Sequence, residues 1–135
     1  MKKYVLLLLM LSATGKTAWG AIADVMPPEE ACACEDLYIQ VSTCIPYDCE
    51  PHYTRVCVRG SMIIVDMYYA CDDCRCSGAT CIDECVNIGD FCPGVYAVIV
   101  RIYCVCGDPC CCARPRICAL GSTFFRVEMC CTPDP

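Results

Sequence analysis

The chain has 135 residues, 19 of them cysteine, and a formal net charge of -6. Cysteine at that density marks a disulfide scaffold. The acidic balance excludes nucleic-acid binding and cationic membrane lysis, since both need a basic patch.

Lys2 and Lys3 precede an apolar run at 4–11, and Ala18-Trp19-Gly20 or Ala21-Ile22-Ala23 offers a small-x-small cleavage site. This pattern predicts a signal peptide over 1–20, with cleavage as late as 23, too short to span a membrane. All three lysines lie within it, so 21–135 holds 7 Arg against 16 Asp and Glu, a net charge of -9. The expected product is secreted and extracellular, where disulfides persist. Its longest apolar runs, 62–70 and 95–105, fall short of the roughly 20 residues of a spanning helix, so no membrane insertion is expected. The tail does not read as a lipid-anchor signal.

Past the leader, 24–30 reads as an extended acidic lead-in containing Pro27, Pro28, Glu29 and Glu30. No window shows helical apolar periodicity, whereas period-2 alternation recurs. Leu37, Ile39 and Val41 alternate with Tyr38 and Gln40; Thr54, Val56 and Val58 alternate with Tyr53, Arg55 and Cys57. Phe125, Val127 and Met129 alternate with Phe124, Arg126 and Glu128. The runs 62–70 and 95–105, each broken by one charge (Asp66 and Arg101), are rich in β-branched and aromatic residues and predict the central strands. The expected fold class is all-β: a small disulfide-rich β-sandwich or pair of short β-sheets, with little or no helix after the signal peptide. One domain over 21–135 is expected. Both long runs read as cysteine, turn glycine, apolar strand and cysteine cluster, which suggests two similar halves with a seam near 77–91.

Catalytic chemistry finds little support. The single histidine, His52, sits among Pro51 and Glu50 with no Gly-x-Ser-x-Gly in the chain, so no nucleophile has a base beside it. Asp72-Asp73 and Asp83-Glu84 read as solvated loop charge rather than a glycosidase pair. Cys32-x-Cys34, Cys71-x-x-Cys74-x-Cys76, Cys104-x-Cys106 and Cys110-Cys111-Cys112 would be good thiolate ligands inside a cell, but oxidation on export competes with metal. No metal, no cofactor and no enzymatic activity are expected. Asn87, the only asparagine, is not in a glycosylation sequon.

An odd cysteine count leaves at least one thiol over, and an interchain bridge is its usual resolution. Cys32 and Cys34, nearest the chain's start, are the interchain candidates for a disulfide-linked homodimer. Structural disulfides are expected to draw on Cys44, Cys49, Cys57, Cys71, Cys74, Cys76, Cys81, Cys85, Cys92, Cys104, Cys106, Cys110, Cys111, Cys112, Cys118, Cys130 and Cys131, with connectivity open.

In the carboxyl-terminal half, Cys92-Pro93-Gly94-Val95-Tyr96-Ala97-Val98 is followed by Cys104-Val105-Cys106-Gly107-Asp108-Pro109-Cys110, then Cys118-Ala119, Arg126 and Cys130-Cys131. This series resembles the resistin and resistin-like secreted hormones. Eleven cysteines from Cys81 onward are about that family's number. The resemblance implies a disulfide-dense β-sandwich head acting as a circulating ligand without enzymatic activity. It covers roughly 50 residues; Cys110-Cys111-Cys112 departs from the family's late cysteine pattern, and its amino-terminal helical tail has no counterpart here.

The expected function is a secreted, disulfide-rich extracellular ligand, hormone- or cytokine-like, that binds a receptor or other protein. The rivals are a toxin, channel blocker or protease inhibitor acting through Arg114 and Arg116 around Pro115, and a cysteine-cross-linked extracellular structural protein.

Overall fold

The computed structural model describes residues 21–71, 78–107 and 115–130. The protein is all-β across them. The strands are β1 (Ala21–Ile22), β2 (Asp24–Met26), β3 (Leu37–Ile45), β4 (Cys49–Arg59), β5 (Met62–Cys71), β6 (Thr80–Gly89), β7 (Gly94–Cys106) and β8 (Arg116–Val127). They form a five-stranded sheet in the order β1-β8-β7-β5-β4 and a three-stranded sheet in the order β2-β3-β6.

Alternation explains how the sheets pack. Ile63, Val65, Met67 and Tyr69 of β5 and Val98, Val100, Ile102 and Cys104 of β7 point inward and are buried. Leu37, Ile39, Val41 and Ile45 of β3 and Ile82, Val86 and Ile88 of β6 meet them in one core. Alternation sends the other row of each strand to the opposite face, and among the described residues no second layer covers that face of either sheet. Phe91, Tyr96 and Phe125 close one end, with Tyr96 and Phe125 stacked 5.7 Å apart.

The two long apolar runs become the inner strands β5 and β7, as the sequence predicts. They are parallel neighbours, from Met62 against Ala97 to Cys71 against Cys106, a constant offset of 35 residues. Parallel neighbours need a crossover, and here it passes through the smaller sheet as β6. The segment read as a seam between halves is therefore largely a strand, paired with β3 along its whole length.

Two close fits fix the chain path. The β4–β5 hairpin turns on Gly60 and Ser61, and Gly60 has φ 61°. Positive φ at the first central position alone is the type II′ geometry that favours glycine there. Gly121 of β8 lies under the β1–β2 segment, where an added Cβ would lie on the Ala23 carbonyl and 2.8 Å from Val25 Cγ2. The Ala23 N–H donates to the Leu120 carbonyl at 2.8 Å. Only a residue without a side chain allows that approach.

Candidate interaction face

The outer face of the five-stranded sheet has no layer over it among the described residues. Strand parity places Tyr53, Arg55, Cys57 and Arg59 of β4 on this face. Beside them lie Met62, Ile64, Asp66 and Tyr68 of β5, then Val95, Ala97, Ile99, Arg101 and Tyr103 of β7. Leu120, Ser122, Phe124 and Arg126 of β8 share it.

Tyrosines at matched positions on three adjacent strands form a stack. Tyr53 and Tyr68 have centroids 4.4 Å apart with planes at 15°, and Tyr68 and Tyr103 are 4.8 Å apart at 10°. That spacing is the interstrand spacing itself, so the register of β4, β5 and β7 builds the ladder. His52 extends it with an edge contact 5.0 Å from Tyr53. Beside the ladder, Arg101 Nε and Nη2 donate to Asp66 Oδ1 and Oδ2 at 2.6 and 2.8 Å, a bidentate pair. Asp66 and Arg101 are directly opposed across β5 and β7. The Arg101 guanidinium also lies 5.8 Å from the Tyr103 ring centroid, within cation–π reach.

The electrostatics follow from this arrangement. Its hydrogen bonds to Asp66 hold the Arg101 guanidinium above its usual pKa. Desolvation raises the Tyr68 phenol, helped by Tyr53 and Asp66. Desolvation also raises Tyr103, against the opposing pull of Arg101. On the inner side, burial and then Glu84 push up Tyr69, whose buried hydroxyl has no hydrogen-bond partner among the described residues.

Among the described residues the two outer faces differ in charge, although Glu50 lies at one end of the larger sheet's face. Arg55, Arg59, Arg101 and Arg126 rise from the larger sheet's outer face, where Asp66 is already paired. The smaller sheet's outer face presents Asp24 and Asp83 with Tyr38, Gln40 and Ser42. Asp83 there accepts from Gln40 and, at 3.1 Å, from Ser42. Apolar exposure adds to the first face: Tyr53 and Val95 are each 51% exposed and Phe124 41%.

The cysteines fall into two groups. Cys44–Cys81, Cys49–Cys71 and Cys104–Cys118 bridge neighbouring strands, and Cys32–Cys130 joins residues 98 apart. Cys106 is also bridged. Cys34, Cys57, Cys85 and Cys92 are free thiols. Two expectations are thereby corrected. Cys32 is buried and bonded to Cys130 rather than available to a second chain. The reason is that Ala33 N–H donates to the Glu128 carbonyl and Glu128 N–H to the Ala31 carbonyl, which fastens this segment to the end of β8. Cys57, Cys85 and Cys92 are not structural bridges. Cys57 faces Ile64 and Cys85 faces Gln40 across the strands that neighbour them among the described residues, and Cys92 is exposed before β7.

Cys34 remains an exposed thiol with φ 67°. Arg116 opens β8 and is exposed. Arg114, Cys74, Cys76, Cys110, Cys111, Cys112 and Cys131 lie outside the described residues, as does the leader 1–20. The sulfurs of Cys49, Cys71 and Cys104 converge within 4.8 Å; all three are bridged, and metal ligation requires thiolates. The tyrosine ladder is not legible in the sequence, because the residues that build it are up to 50 positions apart and meet through the antiparallel β4–β5 register and the parallel β5–β7 register together.

No helix among the described residues is long and apolar enough to cross a membrane. The chain matches no protein-family model, no curated protein and no solved structure.

Proposed function

We propose that this chain is an exported, bridge-stiffened extracellular ligand that binds a protein through the outer face of its larger sheet. The observation that carries the reading is the stacked Tyr53, Tyr68 and Tyr103 set among four arginines on an uncovered sheet. Tyrosine and arginine dominate binding energy in protein interfaces, since each combines a large contact area with hydrogen bonding at modest entropy cost. Because Arg101 already takes both oxygens of Asp66, and Arg59 and Arg126 stand opposite Met62 and Val95, the complementary surface is an acidic one on the partner. Cross-strand bridges hold the face in shape before binding, which lowers the ordering cost of association.

Resemblance to the resistin-like hormones supports the same reading. Cleavage after Gly20 fits it better than cleavage after Ala23, because β1 and the buried Ala23 then stay with the domain. Cys34 is the thiol through which a covalent homodimer would form.

The test is saturable binding of the labelled, exported protein to cell surfaces, compared among variants. Tyr68→Ser and Arg59→Glu are expected to weaken binding roughly tenfold or more, as truncated interface anchors do. Tyr38→Ser, on the opposite sheet, is expected to leave it unchanged. Equal loss from all three, or from none, would remove the larger sheet from the proposal. Inhibition of trypsin-like proteases would instead favour a loop at Arg114 and Arg116.

A further inference from the structure

The larger sheet ends in β4 and the smaller sheet ends in β6. These edges are 11 and 10 residues long, whereas β1 and β2, the strands at the opposite margins, have 2 and 3. A long open strand edge is a template for pairing unless proline, short length or like charge blocks it. Pro51 and the bulge after it close the start of β4, so its pairable edge is 53–59, which carries Arg55 and Arg59 and no carboxylate; β6 carries Asp83 and Glu84 and no cation.

We propose that the free edge of β4 pairs with the free edge of β6 from a second copy of this chain. Backbone phase selects the register. Cys49 and Cys71 face each other with Cα atoms 4.1 Å apart, and Cys44 and Cys81 at 4.0 Å. Such short separations belong to non-hydrogen-bonded antiparallel pairs. Gly107 N–H donating to the Cys71 carbonyl confirms that Cys71 aims its backbone at β7 rather than β4. Counting along the strands, Val56 and Val58 aim their N–H and C=O groups at the open side of β4. Asp83 and Cys85 aim theirs at the open side of β6.

A parallel pair sets each residue that points across the seam opposite one that points away. Placing Cys85 opposite Cys57 satisfies this rule, with the backbone of Cys85 bonding Val56 and Val58. It also keeps the two outer faces continuous and sets Arg55 against Asp83. Pairing β4 with another β4 about Cys57 would instead oppose arginine to arginine. Val58, 48% exposed at the margin of the larger sheet, would be covered by the partner strand.

The same register makes the contact readable through chemistry. Cys57 and Cys85 are both free thiols. With a low-molecular-weight disulfide such as glutathione disulfide as oxidant, the Cys57 thiolate attacks one sulfur and releases one thiol. Cys85 of the second copy then attacks the mixed disulfide at the Cys57 sulfur and releases the second thiol. One interchain bond forms, the oxidant gains two electrons, and the two protons of Cys57 and Cys85 end on the two glutathione thiols.

The experiment uses the full exported chain with Cys34→Ser and Cys92→Ser, so that Cys34 dimers do not enter. Ordinary and nitrogen-15-labelled protein are mixed, oxidised with glutathione disulfide, alkylated, digested and mapped by mass spectrometry. The expected product is a Cys57–Cys85 peptide pair joining light to heavy chains. In parallel, sedimentation velocity is expected to show Arg55→Asp weakening self-association about tenfold, with Asp83→Arg added to it restoring association. Circular dichroism checks that each variant keeps its β spectrum. A monomer at all concentrations, a Cys57–Cys85 bond only within single chains, Cys57–Cys57 bonds, or a failed charge-swap rescue in folded protein would each overturn the proposal. So would association that appears only on adding an unrelated extended peptide.

Discussion

Asp66 is 8% exposed and relies on Arg101 for both of its carboxylate oxygens. Arg101→Met keeps the apolar stem of the side chain and removes both hydrogen bonds to that carboxylate, leaving Arg55, opposite it on β4, as its cationic neighbour in the register. Because the Arg101 side chain is 36% exposed, solvent recovers part of the loss. The expected cost is about 1–3 kcal/mol, read as a shift of the urea midpoint with unchanged slope. A slope change would mean that the unfolded state had altered. The tyrosines give a second residue-scale expectation. Tyr68, Tyr69 and Tyr103 ionise above the ordinary value of 10, chiefly through desolvation. A phenol whose folded pKa is raised contributes stability that is fully present below the unfolded pKa and lost as pH rises through the folded one. Unfolding free energy is therefore expected to hold up to about pH 10 and fall above it. Phenolate absorbance should show a late-titrating group of tyrosines in folded protein that merges with the rest in denaturant. Uniform titration in both states would contradict the burial of Tyr69.

Among the strands, β7 lies between β8 and β5, and its inward row is the most completely buried. Ile102→Ala there is expected to cost roughly 2–5 kcal/mol through lost burial and the cavity left behind. Gly121→Ala makes the opposite error. It adds one methyl where the Ala23 carbonyl lies, and overpacking of that kind costs about 1–3 kcal/mol. Hydrogen exchange should show the Ala23 amide, bonded to Leu120, losing protection first. At this scale much of the fold was legible. The runs at 62–70 and 95–105 became β5 and β7, because β-branched and aromatic stretches broken by a single charge have no helical stripe to offer. Leu37, Ile39 and Val41 marked β3, though the strand runs on to Ile45. The likeness of the two long runs suggests a seam near 77–91, and β6 is hard to read there because Glu84 interrupts its inward row of Ile82, Val86 and Ile88. β1 and β2 were hidden among prolines and carboxylates; two and three residues carry no readable period. The start of β8 was missed as well, since Gly121 and Ser122 look like a turn until the Ala23 contact is seen.

The whole molecule joins an acidic composition to a cationic face, and that segregation was not visible in a net charge. It arises because strand alternation sends Arg55, Arg59, Arg101 and Arg126 to one side and Asp24 and Asp83 to the other. Cross-links set how firmly the faces are held. In the chain-entropy account, the Cys32–Cys130 bond, closing 98 residues, constrains the unfolded chain by about 4.7 kcal/mol, and a 14-residue closure such as Cys104–Cys118 by about 3 kcal/mol. These contributions shrink when bridges share one unfolded chain. The most direct measurement is alkylation of the folded, unreduced, exported protein, followed by peptide mapping and metal analysis. The account predicts labelling at exposed Cys85 and Cys92, at Cys34 in monomeric protein only, and more slowly at half-buried Cys57, with Cys32, Cys44, Cys49, Cys71, Cys81, Cys104, Cys118 and Cys130 unlabelled and no bound zinc. Labelling of Cys49, Cys71 and Cys104 together, or stoichiometric zinc released on treatment with acid, would contradict it.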